Sequence, residues 1–274
     1  MKPRVPRLTV GPGSRELVPR LVAVVAVLVV GLIVVVVVRD GFGGSAVPRW
    51  SLTELASAPR DSGVTQGLEI HDGRIYHSVG GYGSSLVRVE ALDGSLLAED
   101  RLPDAEYAEG LTVVGDVLWQ LTWREGVAYR RDAATLAVLD RVRYDGEGWG
   151  LCHDATSDRL VMSDGSGTLS LRDPSTFAET GELDVTSADG PVSGINELEC
   201  VDGGIWANRY GSAELMRVDG GTGAVDAIVE VPEWSDAGDL NGIAWVAADR
   251  FWLTGKNWPT RHLVAITPPA SRTP

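Results

Sequence analysis

The sequence predicts an all-β chain, a five-bladed β-propeller preceded by one N-terminal transmembrane helix. Three observations carry this reading. An unbroken run of 18 apolar or glycine residues occupies Leu21–Val38. Helix signals are nearly absent after residue 45. Through the remainder, a unit of four short β-rich runs recurs about every 45 residues, the period of propeller blades.

Residues 1–20 form a basic cytoplasmic tail, with Lys2, Arg4, Arg7, Arg15 and Arg20 against the single acid Glu16. The run at 21–38 is mostly valine and leucine. At about 1.5 Å per helical residue it is just long enough to cross a hydrocarbon core. Valine favours strands in water, but in lipid so apolar a run can satisfy its backbone only as a helix. Arg39 and Asp40 alone stand directly behind it, so the positive-inside bias puts the tail in the cytoplasm and everything beyond residue 40 outside. The expectation is a single-pass signal-anchor in the cell membrane carrying an extracytoplasmic propeller. The competing reading is a cleaved signal peptide and a secreted domain, with Gly43-Gly44-Ser45-Ala46 as the cleavage site. Apolar cores of that kind usually span only about 7–15 residues. Residues 39–48 read as a linker, 49–268 as the propeller and 269–274 as a C-terminal tail.

Within the propeller, a polar or aromatic residue, then a small one, then Leu or Ile opens each unit. The copies are Gln66-Gly67-Leu68, Glu109-Gly110-Leu111 and Trp149-Gly150-Leu151, with looser ones at Asn196-Glu197-Leu198 and Asn241-Gly242-Ile243. Their first residues stand 43, 40, 47 and 45 positions apart. A second strand follows each (RIYHSV, VLWQLTW, RLVMSD, GIWANRY, RFWLTGK). A third comes next (SLVRVE, VAYRRD, TLSLRD, ELMRVD, HLVAI), and a more variable fourth completes four of the copies. Asp-Gly, Gly-Gly, Thr-Gly and Asp-Pro turns separate them. The fifth copy runs out of chain near Ile266. Its missing strand is expected to be RWSLTELA, residues 49–56, which would close the ring and cover its edges.

The first strand of each blade lines the channel of a propeller, so Gln66, Glu109, Trp149, Asn196 and Asn241 should converge. One carboxylate among neutral amides, beside an indole, has the character of a site rather than of sheet capping. Nine tryptophans stand against three phenylalanines. Trp119, Trp206 and Trp252 share a second-strand position and read as blade packing. Trp123, Trp149 and Trp258 lie beside glycine, charge or turns and read as walls of a pocket for a small apolar or amide group. Lys256, between Gly255 and Trp258, would supply positive charge where an oxyanion forms. No nucleophile elbow, P-loop, dinucleotide fingerprint or zinc-protease motif is present.

In their order along residues 60–265, several blocks resemble the plant and bacterial propeller-type glutaminyl-peptide cyclotransferases, or glutaminyl cyclases. They are TQGLEI, GGYGSSLVRV, AEGLTV with VLWQLTW, EGWGLCHD with VMSDGSGTLSLRDPSTF, INELECVDGGIWAN, LNGIAW and LTGKNWP. Such enzymes convert an N-terminal glutamine to pyroglutamate and release ammonia. The resemblance implies Glu109 as the central acid/base carboxylate, Gln66, Asn196 and Lys256 as polar site residues, and Trp123 and Trp149 as pocket lining. It departs at Val64, where an aromatic is usual, and at Tyr210, which follows Arg209 where a tryptophan is common. The substrate would be a peptide or protein beginning with glutamine. Glu109, Lys256 and Asn196 are then the catalytic candidates, and Gln66, Trp123, Trp149, Asn241 and Trp258 the substrate-binding ones.

No cofactor is expected, and a structural cation in the central channel is left open. Two rival readings exist. Glu109, Asn196 and Asn241 offer the oxygen ligands of a calcium-dependent propeller lactonase or esterase, and a propeller also serves as a non-catalytic binding module. The net charge of −14 argues against nucleic acid as a partner. Cys152 and Cys200 either pair, as an extracytoplasmic setting permits, or remain buried thiols.

Overall fold

Strands are the regular structure among the described residues of this protein. In a computed structural model the described residues are 28–29, 32–33, 46–61, 63–188 and 190–270. Within the span expected at 21–38, β1 (Leu28–Val29) and β2 (Leu32–Ile33) pair with each other in an antiparallel ladder. The rest of that span, the basic tail, the linker through residue 45 and the end of the C-terminal tail lie outside the described residues. No helix among the described residues is long and apolar enough to cross a membrane.

The described residues from 46 onward form one compact unit. It opens with β3 (Arg49–Pro59) and continues as four-stranded antiparallel meanders. The first is β4 (Val64–His71), β5 (Arg74–Gly80), β6 (Leu86–Ala91) and β7 (Leu96–Arg101). The second is β8 (Ala108–Val114), β9 (Val117–Thr122), β10 (Val127–Asp132) and β11 (Val138–Arg143). Then come β12 (Leu151–Asp154), β13 (Arg159–Met162), β14 (Thr168–Arg172) and β15 (Glu179–Asp184). A small hairpin, β16 (Thr186–Ser187) with β17 (Gly190–Pro191), intervenes. Next are β18 (Ile195–Val201), β19 (Gly204–Arg209), β20 (Glu214–Asp219) and β21 (Val225–Glu230). Last are β22 (Leu240–Ala247), β23 (Arg250–Gly255) and β24 (Thr260–Thr267).

The turns follow from local chemistry. Asp72-Gly73 and Asp202-Gly203 join first to second strands with positive φ at both central residues, a conformation that matches the twist of a two-residue hairpin. Three of the third strands end at an aspartate whose carboxylate folds the next turn around itself. Thr135 donates to Asp132 Oδ1 from N at 2.8 Å and from Oγ1 at 2.7 Å. Asp173 with Thr176 and Asp219 with Thr222 repeat the arrangement.

The strand ahead of the first repeat completes the last one, over 49–59 rather than 49–56. β3 pairs antiparallel with β24 from Ser51↔Thr267 to Pro59↔Thr260. It also touches β21 in parallel through Ile228↔Arg49 and Val229↔Trp50, so the last two meanders fuse into one eight-stranded sheet. The parallel joint was not legible in the repeat. First strands lie against one another in succession, β4 on β8, β8 on β12, β12 on β18, β18 on β22, and β22 back on β4.

Core clusters fill each seam between neighbours. Tyr76, Val87 and Val89 meet Leu111, Val113 and Leu118. Trp119, Leu121 and Ala128 meet Leu151, Leu160 and Met162. Trp206, Leu215 and Val229 meet Ile243, Phe251 and Val264. Trp119, Trp206 and Trp252 pack in these seams, as their shared strand position predicts. The two cysteines pair. Cys152 on β12 is bonded to Cys200 on β18 across a seam, with Cα atoms 5.5 Å apart.

Candidate active site

The small second residue of the repeat unit is small because the next strand's backbone passes against it. A Cβ on Gly67 would lie 2.7 Å from the Leu111 nitrogen, and one on Gly110 would lie 2.7 Å from the Leu151 nitrogen. Close approach of the first strands sets their leading residues around one axis. Where the fourth copy has Glu197 instead, its buried carboxylate spans that space. It accepts from the Leu68 N–H at 3.2 Å and the Ile243 N–H at 2.9 Å, two strands from two other meanders.

At one end of the axis lies a cavity of about 290 Å³, a size suited to a glutamine side chain and its amine. Gln66, Glu109, Trp149 and Asn196 reach it from the first strands and the turns before them. Trp123 and Lys256 reach it from the loops that follow second strands. Glu109 is buried, and its Oε1 accepts from Gln66 Nε2 at 3.0 Å. Burial pushes the Glu109 carboxyl well above the usual range; the Lys256 charge opposes this, and the Glu125 and Glu147 charges add to it. Burial lowers Lys256, against the pull of Glu109 and Asp239. Its backbone N–H bonds the Asp239 carbonyl at 2.8 Å, and its Nζ stands 4.9 Å from the Tyr210 ring centroid.

Asn241 and Trp258 are not in the cavity wall. Asn241 is wholly buried one layer beneath, donating from Nδ2 to Gln66 Oε1 at 2.9 Å and to the Thr65 carbonyl at 2.8 Å. It orients the Gln66 amide, which leaves its NH₂ for Glu109. Trp258 turns the other way. Its Nε1 donates to the Gly238 carbonyl at 2.8 Å and its ring meets Trp234 edge-on, in a separate groove of about 590 Å³. The calcium reading needs Asn241 as an oxygen ligand beside Glu109 and Asn196. The Asn241 Oδ1 is buried without a hydrogen-bond partner among the described residues, but the Lys256 ammonium in the cavity does not fit a cation held beside Glu109. Among the described residues no group of three or more His, Cys, Asp or Glu side chains is placed to hold a metal.

A family model for glutamine cyclotransferases matches residues 26–266. The chain belongs to the glutamine cyclotransferase family. It is 30% identical to a curated Arabidopsis thaliana glutaminyl-peptide cyclotransferase, over 77% of this chain and 70% of that protein. It is also similar to the crystal structure of Myxococcus xanthus glutaminyl cyclase, with a TM-score of 0.74 and 32% identity. That match covers 81% of this chain and 99% of that one.

Two further residues of this cyclotransferase line the cavity and were absent from the sequence candidates, Tyr107 and Tyr210. Tyr107 stands two positions before Glu109 and hence on the same face of the chain, which is the signal that could have found it. Its phenol lies against the Gln66 amide, and burial and the Glu109 charge push it up. Tyr210, noted in the sequence only as a departure from the family pattern, meets Trp149 edge-on at 5.9 Å.

Proposed function

We propose that Glu109 moves the proton in the reaction of this glutaminyl-peptide cyclotransferase. The enzyme closes the N-terminal glutamine of a peptide or protein into pyroglutamate with release of ammonia. One observation carries the role of Glu109. It is the buried carboxyl of a cavity otherwise lined by amides, indoles, phenols and one lysine.

Both reacting groups belong to one glutamine residue, so much of the enzyme's task is to hold a near-attack conformer. The α-amine, with a pKa of about 7.7–8.0, is partly free base at neutral pH. Its nitrogen attacks the γ-carbonyl carbon, a C–N bond forms, and the carbonyl oxygen becomes an oxyanion. Lys256 and the Asn196 amide stabilise that oxyanion. The attacking nitrogen gives up a proton and the departing nitrogen needs one. Glu109 relays it between them and ends as it began, while the amide C–N bond breaks and ammonia leaves. A carboxyl lifted by burial suits this role because it holds a proton more tightly than an ordinary carboxylate and can hand it to the departing nitrogen. Trp123 and Trp149 pack the aliphatic stem, and Gln66, fixed by Asn241, orients Glu109.

The same reading takes the meanders as the blades of a closed five-bladed propeller, supported by the return of β22 onto β4 and by β3 completing the last sheet. It places that propeller outside the cell on a single anchor at 21–38, supported by the apolar run and the basic tail before it. Protease added to intact cells should then cut the propeller and spare the tail.

The deciding assay gives the full chain a dipeptide amide that begins with glutamine, and follows ammonia release together with the matching mass loss. Turnover above the spontaneous rate is expected. Glu109→Gln should lose about 10²–10⁴-fold while keeping the wild-type circular dichroism. Retained turnover in that variant would remove Glu109 from the mechanism.

A further inference from the structure

The cavity mouth is bordered by an arc of aromatic rings drawn from several meanders. Tyr82 meets Tyr107 edge-on at 5.3 Å, and Tyr107 meets Trp123 at 5.7 Å. Trp149 meets Tyr210, whose face the Lys256 ammonium approaches. Between Trp123 and Trp149 no ring bridges the arc, and the two indoles belong to different parts of the fold. Trp123 sits after β9, and Trp149 sits ahead of β12.

Glu147 fills that break. Its Oε2 accepts from Trp123 Nε1 at 2.8 Å and from Trp149 Nε1 at 3.0 Å. Its Oε1 accepts from Arg124 Nε at 2.9 Å, and the Arg124 guanidinium lies 3.8 Å above the Trp123 ring. One carboxylate thus ties both indole edges together while its second oxygen is held by a cation stacked on one of them. The backbone supports the same seam, with the Gly148 N–H bonded to the Trp123 carbonyl at 2.9 Å. Trp149 cannot retreat, because a Cβ on Gly165 behind it would already lie 2.7 Å from its six-membered ring.

Indoles anchored by their N–H edges present a fixed apolar gap between them, and a gap of fixed width selects what fits it. A carboxylate is suited to the task because a charged acceptor serves two N–H donors at once. The Coulombic influence of Glu147 on Glu109 gives it a second, weaker handle on the chemistry.

We propose that Glu147, braced by Arg124, is a positioning residue that sets the spacing of Trp123 and Trp149 and thereby the fit of the glutamine stem. This rests on the reading that the cavity receives the substrate's N-terminal glutamine. Glu147 touches neither the reacting atoms nor Glu109, so its loss is expected in binding more than in the chemical step.

The test compares steady-state kinetics of the full chain and its variants with one glutamine-initiated dipeptide amide. Glu147→Ala should raise KM about three- to tenfold, with kcat within about twofold. Glu147→Gln keeps an acceptor oxygen for the indoles and should restore most of the lost KM. Arg124→Gln, which leaves the acceptor but removes its brace, should raise KM by about twofold. The near-ultraviolet circular dichroism of Glu147→Ala should change while that of Glu147→Gln stays close to wild type. Unchanged KM in Glu147→Ala, or equal damage from Ala and Gln, would overturn the proposal. If Glu147→Ala does not fold, Arg124→Gln and Glu147→Gln decide it, because a wild-type KM in the first or a KM raised as far as tenfold in the second counts against it. An inactive wild-type chain would instead undercut the cyclase reading itself, and is distinguishable for that reason.

Discussion

Burial acts on two side chains at the cavity with opposite consequences for their charge. It lifts Glu109 toward the protonated form and lowers Lys256 toward the neutral one. Catalysis needs the amine free, so the rate should rise as the substrate amine deprotonates near pH 8. In the proposed mechanism it also needs the ammonium of Lys256, whose lowered pKa means that this charge is lost earlier in an alkaline titration than at an exposed lysine. The pH profile is therefore expected to fall on the alkaline side below the ordinary lysine range. Lys256→Arg, which keeps its charge at all working pH values, should push that fall upward, whereas Lys256→Met should lower kcat by about tenfold or more. An alkaline limb that does not move in the arginine variant would assign it to another group. At this scale the sequence was most legible where the repeat enforced geometry. Glu109, Gln66 and Asn196 lead aligned strands, so a shared position in the repeat put them in a shared place. Trp258 was not legible, because an indole beside a loop lysine can face either side, and packing against Trp234 decided it.

At the scale of strands and sheets, covalent and non-covalent seams divide the labour of holding neighbouring meanders together. The Cys152–Cys200 bond crosses from β12 to β18 and encloses a separation of 48 residues. Removing it with Cys152→Ser and Cys200→Ser together should cost about 2–4 kcal/mol in equilibrium unfolding, with kcat little changed because neither sulfur reaches the cavity. A double variant with the wild-type denaturation midpoint would show that packing of Val161, Leu169, Leu198 and Ile205 in that seam suffices alone. The strands themselves were readable from alternation and turn residues, and so was the use of the N-terminal strand to complete the last sheet. The parallel touch of β3 on β21 and the small β16–β17 hairpin were not. Both depend on where two distant segments come to rest, and neither leaves a period in the sequence.

Over the whole molecule, the axis holds carboxylates that the reaction does not use. Glu197 is buried, and Glu69 and Glu199 are partly buried. Burial pushes Glu69 up to about 7 and pushes Glu197 and Glu199 well above the ordinary value; in Glu199 the charges of its two neighbours add to this. Folded-state pKa values raised in this way bind protons that the unfolded chain releases. Their contribution is complete below the unfolded value of about 4.3 and is lost as pH rises through the folded values. The turn aspartates Asp132, Asp173 and Asp219 act in the opposite sense, since their lowered values matter only in acid. The denaturant midpoint should therefore fall from about pH 5 to about pH 8, and Glu199→Gln should flatten that slope. A midpoint that climbs across the same interval would contradict the carboxyl account. The pairing of β3 with β24 carries a different consequence. Because Ser51 is paired with Thr267, the two ends of the folded unit are neighbours. A short linker from Thr267 to Arg49 would turn the junction of β24 and β3 into an ordinary hairpin, and the chain could then be opened between Pro59 and Val64. In that circular permutant every meander would be continuous in sequence, so no strand made first would have to wait for the one made last.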